Sequence, residues 1–334
     1  MSSDLAAESA RALADLAGEA MADVDAHLRK RCATGCQSVD EALAATYLGS
    51  GKRIRPMLTL AVANGMGCTD RSLAVRGASA VELLHVATLI HDDVIDGAET
   101  RRGKPALHTQ IGVPRAIVVG DLVLATGGAE SNSLGPEIAH VWSSALTSVC
   151  RGQNLEFDLR NDLGISDDVL LHYAGLKTAA LISASCEIGA LLADGSLNQR
   201  VAAREFGWNF GVAFQLVDDL LDIVGDPEMT GKPSHQDVPN GIYTSAVIDA
   251  LTHELTAGLS VLRDSINGGD YERAYSIVGG GRSIDRTVER VREFADRARE
   301  SLQGSALAEL GELPMRYVEG ALSALVDPGL EVSP

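Results

Sequence analysis

Apolar residues recur at intervals of three and four along most of the chain, which is the spacing of one face of an α-helix. The alternation of apolar and polar residues that marks a half-buried strand is nearly absent from the sequence. The pattern predicts helical stretches at Leu5–Arg29, Arg53–Ala63, Leu73–Ile95, Arg115–Ala125, Glu137–Leu159, Val169–Leu192, Leu197–Val224, Thr244–Ile266, Ile284–Leu302 and Leu307–Leu325. We therefore predict an all-α protein.

Local signals at the helix ends support a single domain. Ser38 with Glu41, and Ser196 with Gln199, fit the capping box, in which each side chain binds the other residue's backbone N–H. Gly279–Gly281 is the clearest linker-like break, but it is too short to separate two domains. No tandem repeat indicates a solenoid. We predict one domain over residues 1–334.

The charge of the chain limits its partners. Its formal net charge is -18, whereas nucleic acids and anionic membranes attract basic surfaces. The first residues lack the features of a signal peptide, and no apolar run is expected to reach the length of a membrane span. Five irregularly spaced cysteines are expected to be reduced thiols. We predict a soluble, cytoplasmic protein that binds no nucleic acid and does not insert stably into membranes.

Two aspartate-rich motifs are the most informative feature of the sequence. They read Asp92-Asp93-Val94-Ile95-Asp96 and Asp218-Asp219-Leu220-Leu221-Asp222, and each lies within an apolar helical stretch. Burying carboxylates there is costly unless a cation neutralises them. The first and last aspartates of each motif are four residues apart and therefore share one helical face. Such oxygen ligands suit Mg²⁺, which completes its shell with water and substrate phosphate. The motifs predict an enzyme that acts on a diphosphate.

Two cationic clusters flank the first motif. Arg101 and Arg102 follow it, and Gly51-Lys52-Arg53-Ile54-Arg55-Pro56 precedes it. Arginine forks bind phosphate oxygens well. The second cluster lacks the spacing of a Walker loop, and a solvated helix end or a basic helix start would also explain such residues. With two aspartate motifs nearby, we interpret the clusters as clamps for two diphosphates.

Two further features leave alternatives open. His85 lies two turns before Asp92 on roughly the same stripe, where a substrate contact and a buried core histidine are equally consistent. Phe206, Phe210 and Phe214 form an apolar stripe that leads up to the second motif. That stripe indicates core packing, the wall of an apolar cavity, or both.

Taken together and in this order, the motifs resemble those of the all-trans isoprenyl (polyprenyl) diphosphate synthases. The resemblance extends from about Leu48 to Ser245. It rests on Gly51–Pro56, His85–Asp96, Arg101–Gly103, Gly120-Asp121, Gln153, Lys177-Thr178, Phe214–Asp222 and Gly231–Pro233. It implies the isoprenoid synthase type of helical bundle around a deep central cavity, and a homodimer.

The resemblance also implies a role for each matched residue. The ligands of three Mg²⁺ ions, for which Mn²⁺ can substitute, would be Asp92, Asp96 and Asp218. The other members of the catalytic set would be Asp93, Asp219, Asp222 and Lys177. The diphosphate of the allylic substrate would be bound by Arg101, Lys177, Thr178, Gln215 and Lys232. The second substrate, isopentenyl diphosphate, would be bound by Lys52, Arg55, His85 and Arg102.

The chemistry implied by this family suits these residues. Cations neutralise the departing pyrophosphate, so the allylic C–O bond ionises to a carbocation that the isopentenyl double bond attacks. Apolar walls keep water away from the cation, and no side-chain nucleophile is needed. The chain departs from the family pattern at Gly241–Thr244, where many relatives carry a lysine, and at Leu122, where an aromatic residue is common. Neither departure touches a metal ligand.

Product length in this family depends on the helix that carries the first motif. The tail runs down beside that helix, and no Phe, Tyr or Trp occurs between residues 48 and 141. The residues expected to control length are Ala87 and Thr88, both small, and then Leu84 and Leu83. We expect a product of C25 or longer. Closure of the tunnel at either leucine would instead give the C20 product, geranylgeranyl diphosphate.

Two other kinds of protein remain as competing interpretations. A class I terpene cyclase shares the first motif, but it usually carries a different second motif and needs no clamp for a second diphosphate. A non-catalytic subunit of a heteromeric synthase tends to lose aspartates, whereas this chain keeps all six. Both alternatives fit the residues less well than a synthase.

Overall fold

Helices build almost all of the computed structural model, which describes residues 11, 13–48, 51–225 and 234–323. The helices are α1 Met21–Arg31, α2 Gln37–Leu43, α3 Ile54–Gly65, α4 Arg71–Ile95, α5 Leu107–Ile111, α6 Val113–Ser133, α7 Pro136–Leu159, α8 Asp167–Ala174, α9 Ala180–Leu192, α10 Leu197–Val224, α11 Ser245–Thr256, α12 Val261–Asn267, α13 Tyr271–Gly279, α14 Arg282–Ser301, α15 Ala308–Gly311 and α16 Leu313–Leu322. One antiparallel hairpin, β1 Thr100–Arg101 and β2 Lys104–Pro105, is the only sheet in the described residues. The predicted all-α class is confirmed.

Some helix boundaries differ from those predicted. The stretch Thr244–Ile266 is broken, because Gly258 adopts a left-handed φ of 71° between α11 and α12. Helix α13 was not predicted. The capping box at Ser196 is confirmed, whereas the one at Ser38 was wrong. Helix α2 instead begins after Cys36, with no side-chain cap from any residue that the structure describes.

The core is organised around α4, α9 and α10. Helix α4 packs against α6, α3 and α9, and α10 packs against α9 and α14. Gly211 allows the approach of α10 to the segment before α9, since a Cβ there would lie 2.5 Å from Ala179 Cα. This packing sets α4 and α10, which carry the two aspartate motifs, into one bundle.

Two π-helical turns interrupt the regular helices. One covers Ala44–Leu48 and the other covers Gly175–Ala179, between α8 and α9. A π turn inserts one residue into the helical repeat and is common at functional sites. The second turn contains Lys177 and Thr178, both of which belong to the predicted site.

Two helical segments are long and apolar enough to cross a membrane, so the sequence-based expectation that none would be was wrong. They are Arg71–Ile95 and Asp167–Leu192, but 72% and 78% of their apolar windows are buried inside the fold. Their apolar surfaces are thus covered by protein.

The five cysteines are free thiols, as expected. Cys186 is fully buried in α9, whereas Cys150 is exposed on α7. Burial raises the pKa of Cys32 to about 12, so this thiol is unreactive at neutral pH.

Candidate active site

The first aspartate motif is divided between two faces of α4. Consecutive residues of an α-helix point about 100° apart, so Asp93 does not share the face of Asp92 and Asp96. Asp93 is 0% exposed, whereas Asp92 is half-buried and Asp96 is exposed. Asp92 and Asp96 therefore line the open side of the helix end, and Asp93 points into the fold.

Asp93 holds the arginine hairpin against α4. Arg101 Nε donates a hydrogen bond to Asp93 Oδ1 at 2.8 Å, and the two side chains form an ion pair. The Tyr47 hydroxyl donates to Asp93 Oδ2 at 2.5 Å and accepts from the Leu107 N–H at 3.2 Å. Arg101 still has N–H groups available, since a guanidinium carries five. The contribution of Asp93 to the site is thus made through Arg101.

The cations predicted to bind a second diphosphate come together from three segments. Arg55, in the first turn of α3, places Nη1 3.3 Å from His85 Nε2 on α4. Arg102 lies against Gly51, where a Cβ would come within 2.6 Å of the guanidinium carbon. Lys52 follows Gly51 directly and is exposed. The Gly51–Pro56 segment, the hairpin and α4 therefore form one cationic cluster.

The cationic cluster is short of negative charge. Burial, followed by the charges of Arg55 and Arg102, holds the pKa of His85 well below its usual value, so the imidazole is neutral. Arg55 Nε is buried and has no hydrogen-bond partner among the described residues. A buried donor without a partner is costly, and an arriving phosphate oxygen would satisfy it.

The second aspartate motif is held by hydrogen bonds on two sides. Gln215 Nε2 donates to Asp219 Oδ1 at 2.8 Å, and its Oε1 accepts from the Thr178 hydroxyl at 2.5 Å. Asp222 Oδ1 accepts from the backbone N–H of Gln236 at 2.8 Å, and its Oδ2 accepts from the Tyr275 hydroxyl at 3.0 Å. Thr178 and Gln215 thus lie beside the second motif.

Negative charge accumulates around this motif. Burial, and then the charge of Asp237, raises the pKa of Asp219 well above its usual value. Burial, together with Asp222 and Asp218, raises the pKa of Asp237 to about 7. Asp237 was not among the predicted residues. Asp218 and Asp222 lie in the same region, and a cation there would favour the charged forms of Asp219 and Asp237.

Lys177 and Glu156 lie between the two motifs. Gly152 of α7 lets the π turn approach closely, since a Cβ there would be 2.8 Å from the Lys177 backbone nitrogen. Lys177 Nζ pairs with the buried Glu156 carboxylate, to which the Tyr173 hydroxyl also donates. Burial raises the pKa of Asp92 to about 6, with Lys177 opposing the shift. Lys177 therefore acts electrostatically on the first motif while it lies next to the second.

Glu156 and Arg160 are residues that sequence reasoning missed. Arg160 Nη2 lies 3.2 Å from Asp96 Oδ1 and 3.4 Å from Glu156 Oε1. Its Nε is buried and unpartnered within the part of the chain that the structure describes. The sequence signal for Glu156 was its position three residues after Gln153. The Gln153 side chain donates a hydrogen bond to Glu156 Oε1 at 3.2 Å. Arg160 carried no sequence signal of its own.

Of two further features singled out in the sequence, Lys232 and the segment Gly241–Thr244, the structure describes only the second. Lys232 lies outside the described residues, so its role stays a prediction. The segment Gly241–Thr244, which lacks the lysine of many relatives, contributes Ile242, Tyr243 and Thr244 to a cavity of about 180 Å³ that Lys177 and Asp219 also line. This cavity adjoins the second motif.

Comparison with known proteins places this geometry in a family. Residues 37–277 match the family model described as Polyprenyl synthetase, which is more than half of the chain. The chain belongs to the polyprenyl synthetase family. It is therefore a prenyltransferase.

Relatives of the polyprenyl synthetase family differ in the product that they make. The Short chain isoprenyl diphosphate synthase of Methanocaldococcus jannaschii is 39% identical over 206 residues, or 60% of this chain and 62% of that relative. The Octaprenyl diphosphate synthase of Escherichia coli is 30% identical over 294 residues, or 86% of this chain and 91% of that relative. A solved decaprenyl diphosphate synthase from Rhodobacter capsulatus shares 29% identity with a TM-score of 0.86, covering 95% of this chain and 100% of its own. Family membership thus leaves the product length open.

The aspartates of the first motif fit a divalent cation by the chemistry of their donor atoms. Carboxylate oxygens suit Mg²⁺, which binds through one or two carboxylates and keeps water and substrate phosphate in its shell. Within the residues that the structure describes, no group of three or more carboxylate, imidazole or thiol side chains is placed to hold a metal ion. The raised pKa of Asp92 has burial as its main cause, with Asp96 adding to it, and a divalent cation would offset both.

The residues expected to control chain length lie along α4 below Asp92. Ala87 is 1% exposed, and Leu84 and Leu83 are both fully buried. Thr88 is half-buried, and its hydroxyl donates to the His85 carbonyl at 2.8 Å. All four residues thus face the interior or its edge.

An aromatic ring from a later helix lies one turn further down. Trp142 of α7 donates its indole N–H to the Ala80 carbonyl of α4 at 2.8 Å. Its ring also packs against Gly127 of α6, where a Cβ would be 3.1 Å from Trp142 Cζ2 and 3.0 Å from Leu83 Cβ. Ala80 is twelve residues before Asp92, or about 18 Å along the helix. Trp142 therefore occupies the junction of α4, α6 and α7.

Proposed function

We propose that this protein is a trans-polyprenyl diphosphate synthase, which condenses an allylic diphosphate head to tail with isopentenyl diphosphate. One observation carries the proposal: the last turns of α4 present metal-type carboxylates and also border a cationic cluster. Asp92 and Asp96 are the carboxylates, and His85, two turns before Asp92 on roughly the same face, forms the cluster with Arg55 and Arg102. Two diphosphates bound at these neighbouring sites would bring their carbon chains together.

On the aspartate side, the site would bind and ionise the allylic substrate. Asp92, Asp96 and Asp218 would hold Mg²⁺, three ions by analogy with the family, and when bound these ions supply Lewis-acid neutralisation of the pyrophosphate. Lys177 and Arg101 would donate to the diphosphate oxygens. The allylic C–O bond then breaks, and its electron pair leaves with the pyrophosphate.

On the cationic side, the site would hold isopentenyl diphosphate. The side chains that would bind its diphosphate are Lys52, Arg55, His85 and Arg102. The double bond attacks the allylic cation, the new C–C bond forms, and one proton passes to the released pyrophosphate. Neutral His85 would donate a hydrogen bond without adding charge.

The product is proposed to be C25 or longer. Ala87 and Thr88 leave the first turn below Asp92 without a bulky side chain, and Trp142 is the aromatic residue next to α4 three turns down. The C20 alternative is favoured by the packing of Leu83 beside Trp142, which would narrow the same path one turn earlier.

We further propose a cytoplasmic homodimer that pairs through α6. The exposed face of this helix carries Val118 and Leu122, which are 64% and 40% exposed, followed by exposed Ala125 and Ala129. These residues are spaced four, three and four apart and so form one apolar stripe. An exposed apolar stripe on a core helix is typical of a subunit interface.

The test is a direct assay of the purified protein. It would be incubated with Mg²⁺, labelled isopentenyl diphosphate and each of the C5, C10, C15 and C20 allylic primers, and the dephosphorylated products would be sized by mass spectrometry. Linear alcohols of C25 or longer would support the full proposal, and a stop at C20 would move the tunnel floor to Leu83 or Leu84. Hydrocarbon made from primer alone would indicate a cyclase. Absence of product would indicate a non-catalytic subunit.

A further inference from the structure

A buried ion pair lies directly beneath the cationic cluster. Glu82 of α4 is 2% exposed, and its carboxylate pairs with the Arg53 guanidinium, which is 9% exposed. Resting on the proposed function, we propose that Glu82 and Arg53 are positioning residues for isopentenyl diphosphate. They would act on that substrate through Lys52 and Arg55 and would not touch it.

The backbone at Arg53 shows what the ion pair holds in place. Arg53 has a left-handed φ of 50°, which residues with a Cβ rarely adopt, and it is the residue that starts α3. Its guanidinium is anchored to Glu82, donates to the Leu48 carbonyl, and lies 3.5 Å from Asp25 Oδ1. A strained residue persists only where its surroundings determine its conformation.

This strained turn determines where the neighbouring cations lie. Lys52 precedes it, and Arg55 follows in the first turn of α3, with Nη1 3.3 Å from His85. Glu82 is three residues before His85, so the carboxylate and the imidazole are neighbours on α4. Release of Arg53 would let the start of α3 relax, which would move Arg55 away from His85 and would shift Lys52, the residue before Arg53.

Glu82 also supplies negative charge next to the cationic cluster. Burial disfavours the charged forms of Arg55 and Arg102, and Glu82 provides the largest opposing charge for both. Arg55 Nε is buried and has no hydrogen-bond partner among the described residues, so it is a donor that Glu82 does not use.

A second buried carboxylate provides a matched control for stability alone. Glu130 of α6 is 4% exposed and accepts from Arg76 Nε at 2.6 Å, with Arg31 Nε at 3.2 Å. Arg76 is sixteen residues before Asp92 on α4, about 24 Å along the helix. Loss of Glu82 would leave Arg53, which is 9% exposed, without its carboxylate partner, and loss of Glu130 would do the same to the half-buried Arg76. Only Glu82 adjoins the cationic cluster.

The experiment compares Glu82→Gln and Glu130→Gln in the full-length protein. For each variant we would measure the KM for isopentenyl diphosphate, the KM for the allylic primer, kcat, and Tm. For Glu82→Gln we expect the KM for isopentenyl diphosphate to rise about 10-fold, with the allylic KM within about 2-fold of wild type. Glu130→Gln should lower Tm and leave both KM values within about 2-fold of wild type.

The variant Arg53→Lys keeps the positive charge but loses the two-pronged guanidinium, and it tests the proposal if Glu82→Gln does not fold. It should raise the KM for isopentenyl diphosphate by a smaller factor than Glu82→Gln does. A wild-type KM for isopentenyl diphosphate in the folded variants, or equal rises for both substrates, would overturn the positioning role. Inactive wild-type protein would instead count against the proposed function, so the two failures are distinguishable.

Discussion

Adjacent aspartates of the first motif are placed in different environments. Asp92 lies half-buried at the open end of α4, whereas Asp93 is fully buried and bound by Arg101 and Tyr47. One position along a helix is enough to move a carboxylate from the open side of the helix to an internal ion pair. Their substitution should therefore have different consequences.

Asp92→Asn is expected to raise the Mg²⁺ concentration needed for half-maximal activity and to cost several kcal/mol of transition-state stabilisation through weakened metal binding. Asp93→Asn should leave the Mg²⁺ requirement near that of wild type. It should lower stability by about 3 kcal/mol, because Arg101 would lose its buried partner. Titration of activity with Mg²⁺ and thermal unfolding would separate the two effects. Equal shifts of the Mg²⁺ midpoint in both variants would contradict the assignment of Asp92 to metal binding and of Asp93 to the ion pair with Arg101.

His85 is expected to remain neutral as the pH falls. Its pKa is held well below its usual value by burial and by Arg55, Arg102, Arg53 and Arg101. In the unfolded chain a histidine takes up a proton at about pH 6.5. Below that pH the unfolded state therefore binds a proton that the folded state does not, and His85 should lower stability as the pH decreases.

The measurement is an NMR titration of the histidine ring signals, with unfolding followed at the same pH values. The His85 signal should keep its neutral position at pH values where an exposed histidine, with a pKa near 6.5, has become protonated. His85→Gln should make stability less dependent on pH below about 6.5. Titration of His85 at an ordinary pKa would contradict its placement among the guanidinium groups.

At the scale of secondary-structure elements, α4, α6 and α7 together enclose the path proposed for the growing chain. Trp142 on α7 lies against α4 at Ala80 and against α6 at Gly127. Product length should therefore depend on residues from more than one helix. Ala87 on α4 and Trp142 on α7 mark two levels of this path.

Ala87→Phe is expected to shorten the product without abolishing turnover, since a ring would fill the first turn below Asp92. Trp142→Leu should lengthen the product, because a smaller side chain would open the level of Ala80. Trp208, half-exposed on α10, supplies the control Trp208→Leu, which should leave product length unchanged. Mass spectrometry of the dephosphorylated alcohols measures each outcome. An unchanged product in both test variants would remove α7 and Ala87 from the path.

At the scale of the whole molecule, the apolar stripe on α6 predicts a dimer. Val118 is 64% exposed in the single chain, and we propose that a second copy of the chain covers it. Val118→Glu would place a charge in that interface. Light scattering should show a shift from dimer to monomer. The matched control is Leu255→Glu, at a site 70% exposed on α11, which should not change the oligomeric state. A monomeric wild-type protein would contradict the proposed interface.

The sequence alone was enough to predict the helical class, the two aspartate motifs and most of the cationic residues. Helical periodicity and D-D-x-x-D spacing are properties of near neighbours in the chain, so they can be read without a fold. Ser196 illustrates this, because its capping box involves residues only three positions apart. Gly258 shows the limit, since one left-handed residue ended a helix that periodicity alone would continue.

Only the tertiary structure decided how these residues are paired. Trp142 and Ala80 are 62 positions apart, and Arg160 and Asp96 are 64 apart. Nothing in the local sequence brings such residues together. Their contacts depend on helix packing, and that packing also determined that Asp93 binds Arg101 and that Glu82 binds Arg53. The sequence therefore determined which chemical groups the protein has, and the packing of its helices determined which of them meet, because side-chain contacts between distant residues exist only once the backbone is folded.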